Sequence, residues 1–257
     1  MKYLNNVTSM DCVGKTLKSK NSGDFKVLKY NDSKSVEIKF LQTGFEMVAR
    51  LTNIKKGEVK DKYLPSVYGV GVVGTKYPIS EGDVLAKEYE LWRGMLQRCY
   101  STTLKKKYQT YGDCEASDNF KSYEYFYEWC RCQVGFGVEG FDLDKDLLVK
   151  GNKVYSENTC VFIPQEINKV LTKSTKKRGE HLIGVSWHKK GKAFIAQINK
   201  NKGKREWLGT FKTEIEAFNA YKQAKESFVK GQAEKWKGQI DDRAYNALMN
   251  YEVDIAD

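Results

Sequence analysis

Apolar and polar positions alternate with period two along Phe25–Asn31 and Ser35–Leu51, and an apolar run returns at 67–73, VYGVGVV. Such runs, rich in β-branched and aromatic residues and broken by polar stretches, predict short strands. Residues 1–78 therefore read as a small β domain, an SH3-like barrel, with NDSKS at 31–35 as a hairpin turn and Gly44 dividing the long run in two. From Ser80 the period lengthens to that of a helix. Leu85, Tyr89, Trp92, Met95 or Leu96, and Cys99 fall on one stripe, with Lys87, Glu90, Arg93 and Gln97 opposite. A second, aromatic helix over 122–134 is capped by Ser117 or Asp118. Next come a strand from Asp142 to Val149, a turn at Gly151-Asn152 and a strand from Thr159 to Ile163. Pro164 then opens a helix that carries Asn168, giving a ββα order.

Beyond a basic linker at 173–181, the strands Leu182–His188, Ala193–Asn199 and Arg205–Gly209 are joined by the turns HKKGK and KNKGK. Thr213 opens a helix in a capping box with Glu216. Ile215, Ala217, Phe218, Ala220, Tyr221 and Ala224 lie on that helix at 3.6 spacing, which sets it across one face of the sheet. A short terminal helix within 233–257 docks through Tyr245, Leu248 and Met249. The expected fold is α+β in domains 1–78, 79–172 and 182–232, with the linker between and the terminal helix after.

Composition narrows the partners. A net charge of +11 and a pI near 9.1 call for an anionic ligand, and 16 Tyr, 12 Phe and 5 Trp favour nucleic acid over a membrane surface. No 18-residue apolar run and no apolar signal core occur, so the expectation is a cytoplasmic protein without membrane attachment. The cysteines at 12, 99, 114, 130, 132 and 160 form no CxxC pair. Neither a zinc ribbon nor a redox motif is written in that spacing, and buried small apolar side chains are the ordinary role for such thiols.

With Asp144-Lys145-Asp146 on the first strand of the ββα unit, Asn158 at the turn into the second and Asn168 on the helix, the segment resembles the HNH (ββα-metal) endonucleases. With the two preceding helices, residues 80–172 resemble phage-encoded HNH-like proteins, which would place the chain in a host-cell cytoplasm. The resemblance implies a Mg²⁺ held by Asp144 and Asn168, with Asn158 fixing the loop. The family's general base is a His directly after the strand-one acid, and here Lys145 stands there. A lysine of ordinary pKa, about 10.4, is protonated at neutrality and takes no proton from water. Two readings stay open: a metal-dependent hydrolase with a degenerate base at Lys145, and an inactive scaffold in a DNA-binding or accessory protein acting on a host partner.

IGVSWHKKGKAFIAQI, REWLGTF and TEIEAFNAYKQA, within residues 182–230, resemble the three strands and helix of the apetala-two/ethylene-response-factor (AP-two/ERF) DNA-binding domain. That implies a three-stranded sheet lying in the major groove of duplex DNA. Position by position, the resemblance assigns Ser186, His188, Phe194, Gln197, Arg205 and Trp207 to the reading face. Lys189, Lys190, Lys192, Lys202 and Lys204 would meet phosphates. Ile183 and Ser186 occupy places where the family uses arginines for guanine, so guanine specificity does not carry over.

Overall fold

The structure, a computed structural model, describes residues 11–172, 180–200 and 205–256. Its backbone divides into two compact units: residues up to Gly112 together with Asp118–Tyr127, and Asp113–Ser117 together with the chain from Glu128 onward. Residues 128–172 share a unit with the C-terminal sheet. No helix among the described residues is long and apolar enough to cross a membrane.

The first unit begins with β1 (Thr16–Lys18), β2 (Asp24–Asp32), β3 (Ser35–Phe40) and β4 (Glu46–Ala49), an antiparallel meander in sequence order. Strict alternation along β3 buries Val36, Ile38 and Phe40 beside Phe25, Val27 and Ala49. The sheet is open, and the expected barrel does not form. Its missing strand would have been VYGVGVV. There Tyr68 (φ 52°) and Gly69 (φ 79°) adopt left-handed backbone, and the chain turns on itself through Gly71 N–H donating to Val67 O. A short helix that the pattern did not predict, α1 (Leu51–Lys56), buries Ile54 and stops at Gly57, whose left-handed φ of 67° sends its N–H back to the helix carbonyls.

The remainder of this unit holds the two-residue strands β5 (Ser80–Glu81) and β6 (Val84–Leu85), then α2 (Lys87–Tyr100) and α3 (Thr102–Lys107). Trp92, Met95, Leu96 and Cys99 of α2 are buried as their stripe predicts. Beyond β7 (Glu115–Ala116), which belongs to the second unit, come α4 (Asp118–Lys121) and α5 (Tyr123–Arg131), whose last four residues fall in the second unit. Trp92 donates its indole N–H to Phe120 O at 2.8 Å and its ring meets that of buried Tyr123.

In the second unit β8 (Phe141–Asp144) pairs antiparallel with β10 (Val161–Pro164), while β9 (Val154–Tyr155) pairs in parallel with β7. The helix α6 (Gln165–Leu171) follows β10, with Pro164 at its N-cap. The expected ββα order is present, but the first strand stops at Asp144 instead of running to Val149, because Asp144 turns the chain with its own carboxylate. Downstream, β11 (Val185–His188), β12 (Ala193–Asn199) and β13 (Arg205–Phe211) form the three-stranded antiparallel sheet that the sequence predicts. α7 (Glu214–Lys235) starts in a full capping box between Thr213 and Glu216.

At 22 residues, α7 extends past the sheet. Its first half packs Phe218 and Tyr221 with Ile198 of β12. Its second half buries Val229 and Ala233 against Val161, Ile163 and Ile167, with Leu248 of α8 (Asp242–Met249) closing the same core. Buried Lys225 donates to Val170 O at 2.5 Å, tying α7 to the last turn of α6, where a cation suits the exposed carbonyls. One helix thus serves two cores. Ile215 departs from its expected stripe and is 51 % exposed.

Candidate nucleic-acid interface

Strand alternation assigns every residue of the C-terminal sheet to a side. Ala196 and Ile198 are buried, and Ile198 packs with the Phe218 and Tyr221 side of α7, so even-numbered positions of β12 face the helix. Cross-strand partners share a face, which puts Val185 and Trp187 of β11 on that side too. The opposite face then carries Ser186 and His188 of β11 and Ile195, Gln197 and Asn199 of β12. A bulge beside Ala196–Gln197 inserts Leu208 into β13 and restores Trp207 and Arg205 to the open face, paired with Gln197 and Asn199. Gly209, at the bulge, takes a φ of 142° that a side chain would strain.

The open face holds Arg205 and no carboxylate, whereas Glu206 sits on the helix side, held by Lys200 at 2.7 Å. Trp207 is 62 % exposed, and Ser186, His188, Asn199, Arg205 and Thr210 are exposed around it. Phe194 is a correction. It shares its side with Ala196 and Ile198, and its ring packs edge-on against Trp187 and His181 at 4.7 and 5.6 Å, so it supports the sheet from the helix side. His188 lies on the open face, with its Nδ1 accepting the Gly191 N–H at 3.2 Å. The ring thereby braces the Lys189–Lys192 turn.

Lys189, Lys190 and Lys192 are exposed on that turn and form no ion pair with any described residue. Lys192 takes a positive φ of 45°, as the tight reversal requires. Lys202 and Lys204 lie outside the described residues, as do residues 173–179 of the linker. A groove of about 470 Å³ runs from the edge of this face to the last turn of α6, lined by Lys169, Thr172, Ser186, Gln197, Asn199 and Arg205. Ile183, where the family resemblance has an arginine, packs into the core with Tyr221. Behind it, Gly184 at φ 78° lies flat on the Tyr221 ring, where a Cβ would come within 2.1 Å. Glu214 of α7 anchors the strand entrance by accepting the Leu182 N–H at 2.7 Å.

The second constellation that the sequence singles out is arranged for structure. Lys145 is buried at 6 % exposure. Its ammonium donates to Asp146 Oδ1 at 2.5 Å and to Asn152 O at 2.9 Å, and lies 5.6 Å from the centre of the Tyr155 ring. An ammonium with its protons engaged in this way is placed as a clamp, with no lone pair for water. Asn152 completes the clamp: its Nδ2 donates to Lys145 O and Val154 O, and its Oδ1 accepts the Val154 N–H. The loop-fixing asparagine is thus Asn152, while Asn158 sits exposed on its turn; the Gly151-Asn152 turn signal marked the right place.

Asp144 Oδ1 accepts the N–H groups of Asp146 and Leu147 at 2.9 and 2.7 Å. Burial pushes its carboxyl above the ordinary aspartate range, against those two hydrogen bonds. Asn168 lies on α6, its carbonyl accepting from Thr172. Among the described residues, His, Cys, Asp and Glu nowhere gather in groups of three or more suited to a metal. As a Mg²⁺ site the donors fit poorly: Asp144 Oδ1 is committed to a turn, and the adjacent carboxylate of Asp146 is paired with Lys145.

Residues 180–231 match the AP2 domain family model. Comparison with curated proteins and with solved structures finds no match to the chain.

Proposed function

We propose that this chain is a DNA-binding protein that seats the open face of β11–β13 in the major groove of duplex DNA. The observation that carries the reading is a face with no carboxylate among its described residues, flanked by lysines that pair with no described acid, inside the segment that matches the AP2 domain. A major groove about 12 Å wide admits strands, and base edges there offer donors and acceptors to alternate side chains. Gln197 suits an adenine edge, Trp207 presents a broad apolar surface to bases and sugars, Arg205 on the same face reaches base edges, and Lys189, Lys190 and Lys192 meet phosphates. With Ile183 in the core and Ser186 on the face, bidentate guanine contacts are few. Affinity then rests mainly on phosphates and tolerates sequence changes. Displacement of methyl green, a major-groove dye, from duplex DNA by the full chain tests the seat. Displacement of the minor-groove ligand netropsin with methyl green retained would overturn it.

The ββα segment is read here as scaffold, because the side chain at the base position is a buried, doubly engaged ammonium. On this reading supercoiled plasmid stays intact with Mg²⁺ or Mn²⁺ present. Metal-dependent nicking by the purified chain, abolished by Asp144→Ala and Asn168→Ala, would restore the hydrolase.

A further inference from the structure

We infer that the first unit carries a second nucleic-acid contact, a cationic groove for a phosphodiester backbone, separate from the C-terminal sheet. The groove, about 450 Å³, is bounded by the β2–β3 turn, β4, the start of α1 and the segment Glu58–Lys62. Lys34, Arg50, Lys60 and Lys62 line it with Asn53, all exposed, and none of the four cations pairs with a described residue. The acids that could quench it are turned elsewhere. Glu58, also at the groove, is held by Lys20 at 3.0 Å. Asp61, between Lys60 and Lys62 in sequence, is 4 % exposed and points inward, accepting from Thr43 Oγ1 at 2.5 Å and from the Tyr63 N–H at 2.9 Å. Burial alternates along Glu58–Lys62, so that with Asp61 turned in, its neighbours face out.

Met47 and Val48 supply an apolar wall, Val48 being 56 % exposed. Ammonium groups along a groove with an apolar wall suit phosphates alternating with sugars, and Asn53 adds a neutral donor. The other lysines of this sheet behave differently where acids are near, as with Lys29 to Glu37 and Lys39 to Glu46. Groove cations that pair with no described residue therefore add counterion-releasing contacts to those of the AP2 segment.

The test compares full-length variants K60Q/K62Q and K15Q/K26Q by fluorescence anisotropy on a random-sequence 30-base-pair duplex across a sodium chloride series. Lys26 is exposed on β2 and Lys15 immediately before β1, both outside the groove, so the two variants lose equal charge. The expected result is a log–log salt slope flattened by about two in K60Q/K62Q, near 0.9 per lost phosphate contact, and by well under one in K15Q/K26Q. Equal flattening in the two variants, or none in K60Q/K62Q, would overturn the inference. So would polyglutamate displacing the duplex from wild type but not from K60Q/K62Q, which would make the groove an acidic-peptide site. Circular dichroism melting checks that both variants fold. Loss of binding confined to the turn lysines of the C-terminal sheet would leave the AP2 reading intact while removing this one.

Discussion

Replacing Lys145 with methionine separates a clamp from a catalyst. The substitution keeps the length of an apolar stem and removes the ammonium that bridges Asp146, the Asn152 carbonyl and the Tyr155 ring. The Asn152 carbonyl loses its donor in a part-buried setting, which costs about 1–3 kcal/mol. The Asp146 side chain is 59 % exposed, so losing that pair adds little after solvent screening. The ring contact, over a Tyr155 that is 4 % exposed, adds about 1 kcal/mol. The total is roughly 2–4 kcal/mol of destabilisation, read as a shift in urea midpoint by circular dichroism and tryptophan fluorescence. Lys145→Arg, which keeps the charge, should recover part of it. A Lys145→Met protein within 0.5 kcal/mol of wild type would refute the clamp.

Asp144→Asn should keep both turn hydrogen bonds and raise stability at pH 7, because burial holds the Asp144 pKa above its unfolded value. With a raised folded pKa, the group's stabilising share is complete below the unfolded pKa and is lost as pH rises through the folded one; the variant's advantage must therefore shrink toward pH 4 and grow above it. Urea titrations at several pH values check this, and a pH-independent difference contradicts it. Gly184→Ala places a methyl 2.1 Å from the Tyr221 ring at a φ of 78° and should cost about 3 kcal/mol from overpacking and backbone strain. A melting temperature unchanged in that variant would show that the ring moves freely. Thr213→Ala removes the cap on α7 and should cost about 1 kcal/mol in the same assay.

The C-terminal sheet, its capping box and the α2 stripe were legible because each rests on local signals: alternation, turn residues and 3.6 spacing within one element. Phe194 was not, since a contact position copied from a resemblance says nothing of parity, whereas burial of Ala196 and Ile198 decides the side. The barrel failed on two left-handed residues, Tyr68 and Gly69, inside an otherwise strand-like run. Asn152 was visible as a turn signal and Asn158 as a motif position, and only the loop's hydrogen bonds tell them apart. That α7 runs on to serve a second core was hidden because Phe228, Val229 and Ala233 have meaning only once α6 and β10 are beside them.

The most direct test of the central claim is the salt dependence of duplex binding by the full chain, with Lys189, Lys190 and Lys192 changed to glutamine together and Trp207 changed to alanine separately. Seating of the open face predicts that wild-type affinity falls steeply with sodium chloride and that the triple variant flattens the log–log slope by up to about three. Trp207→Ala should weaken binding with the slope kept, because an uncharged contact releases no counterion. Wild-type affinity independent of salt, or a triple variant with the wild-type slope, would contradict the account.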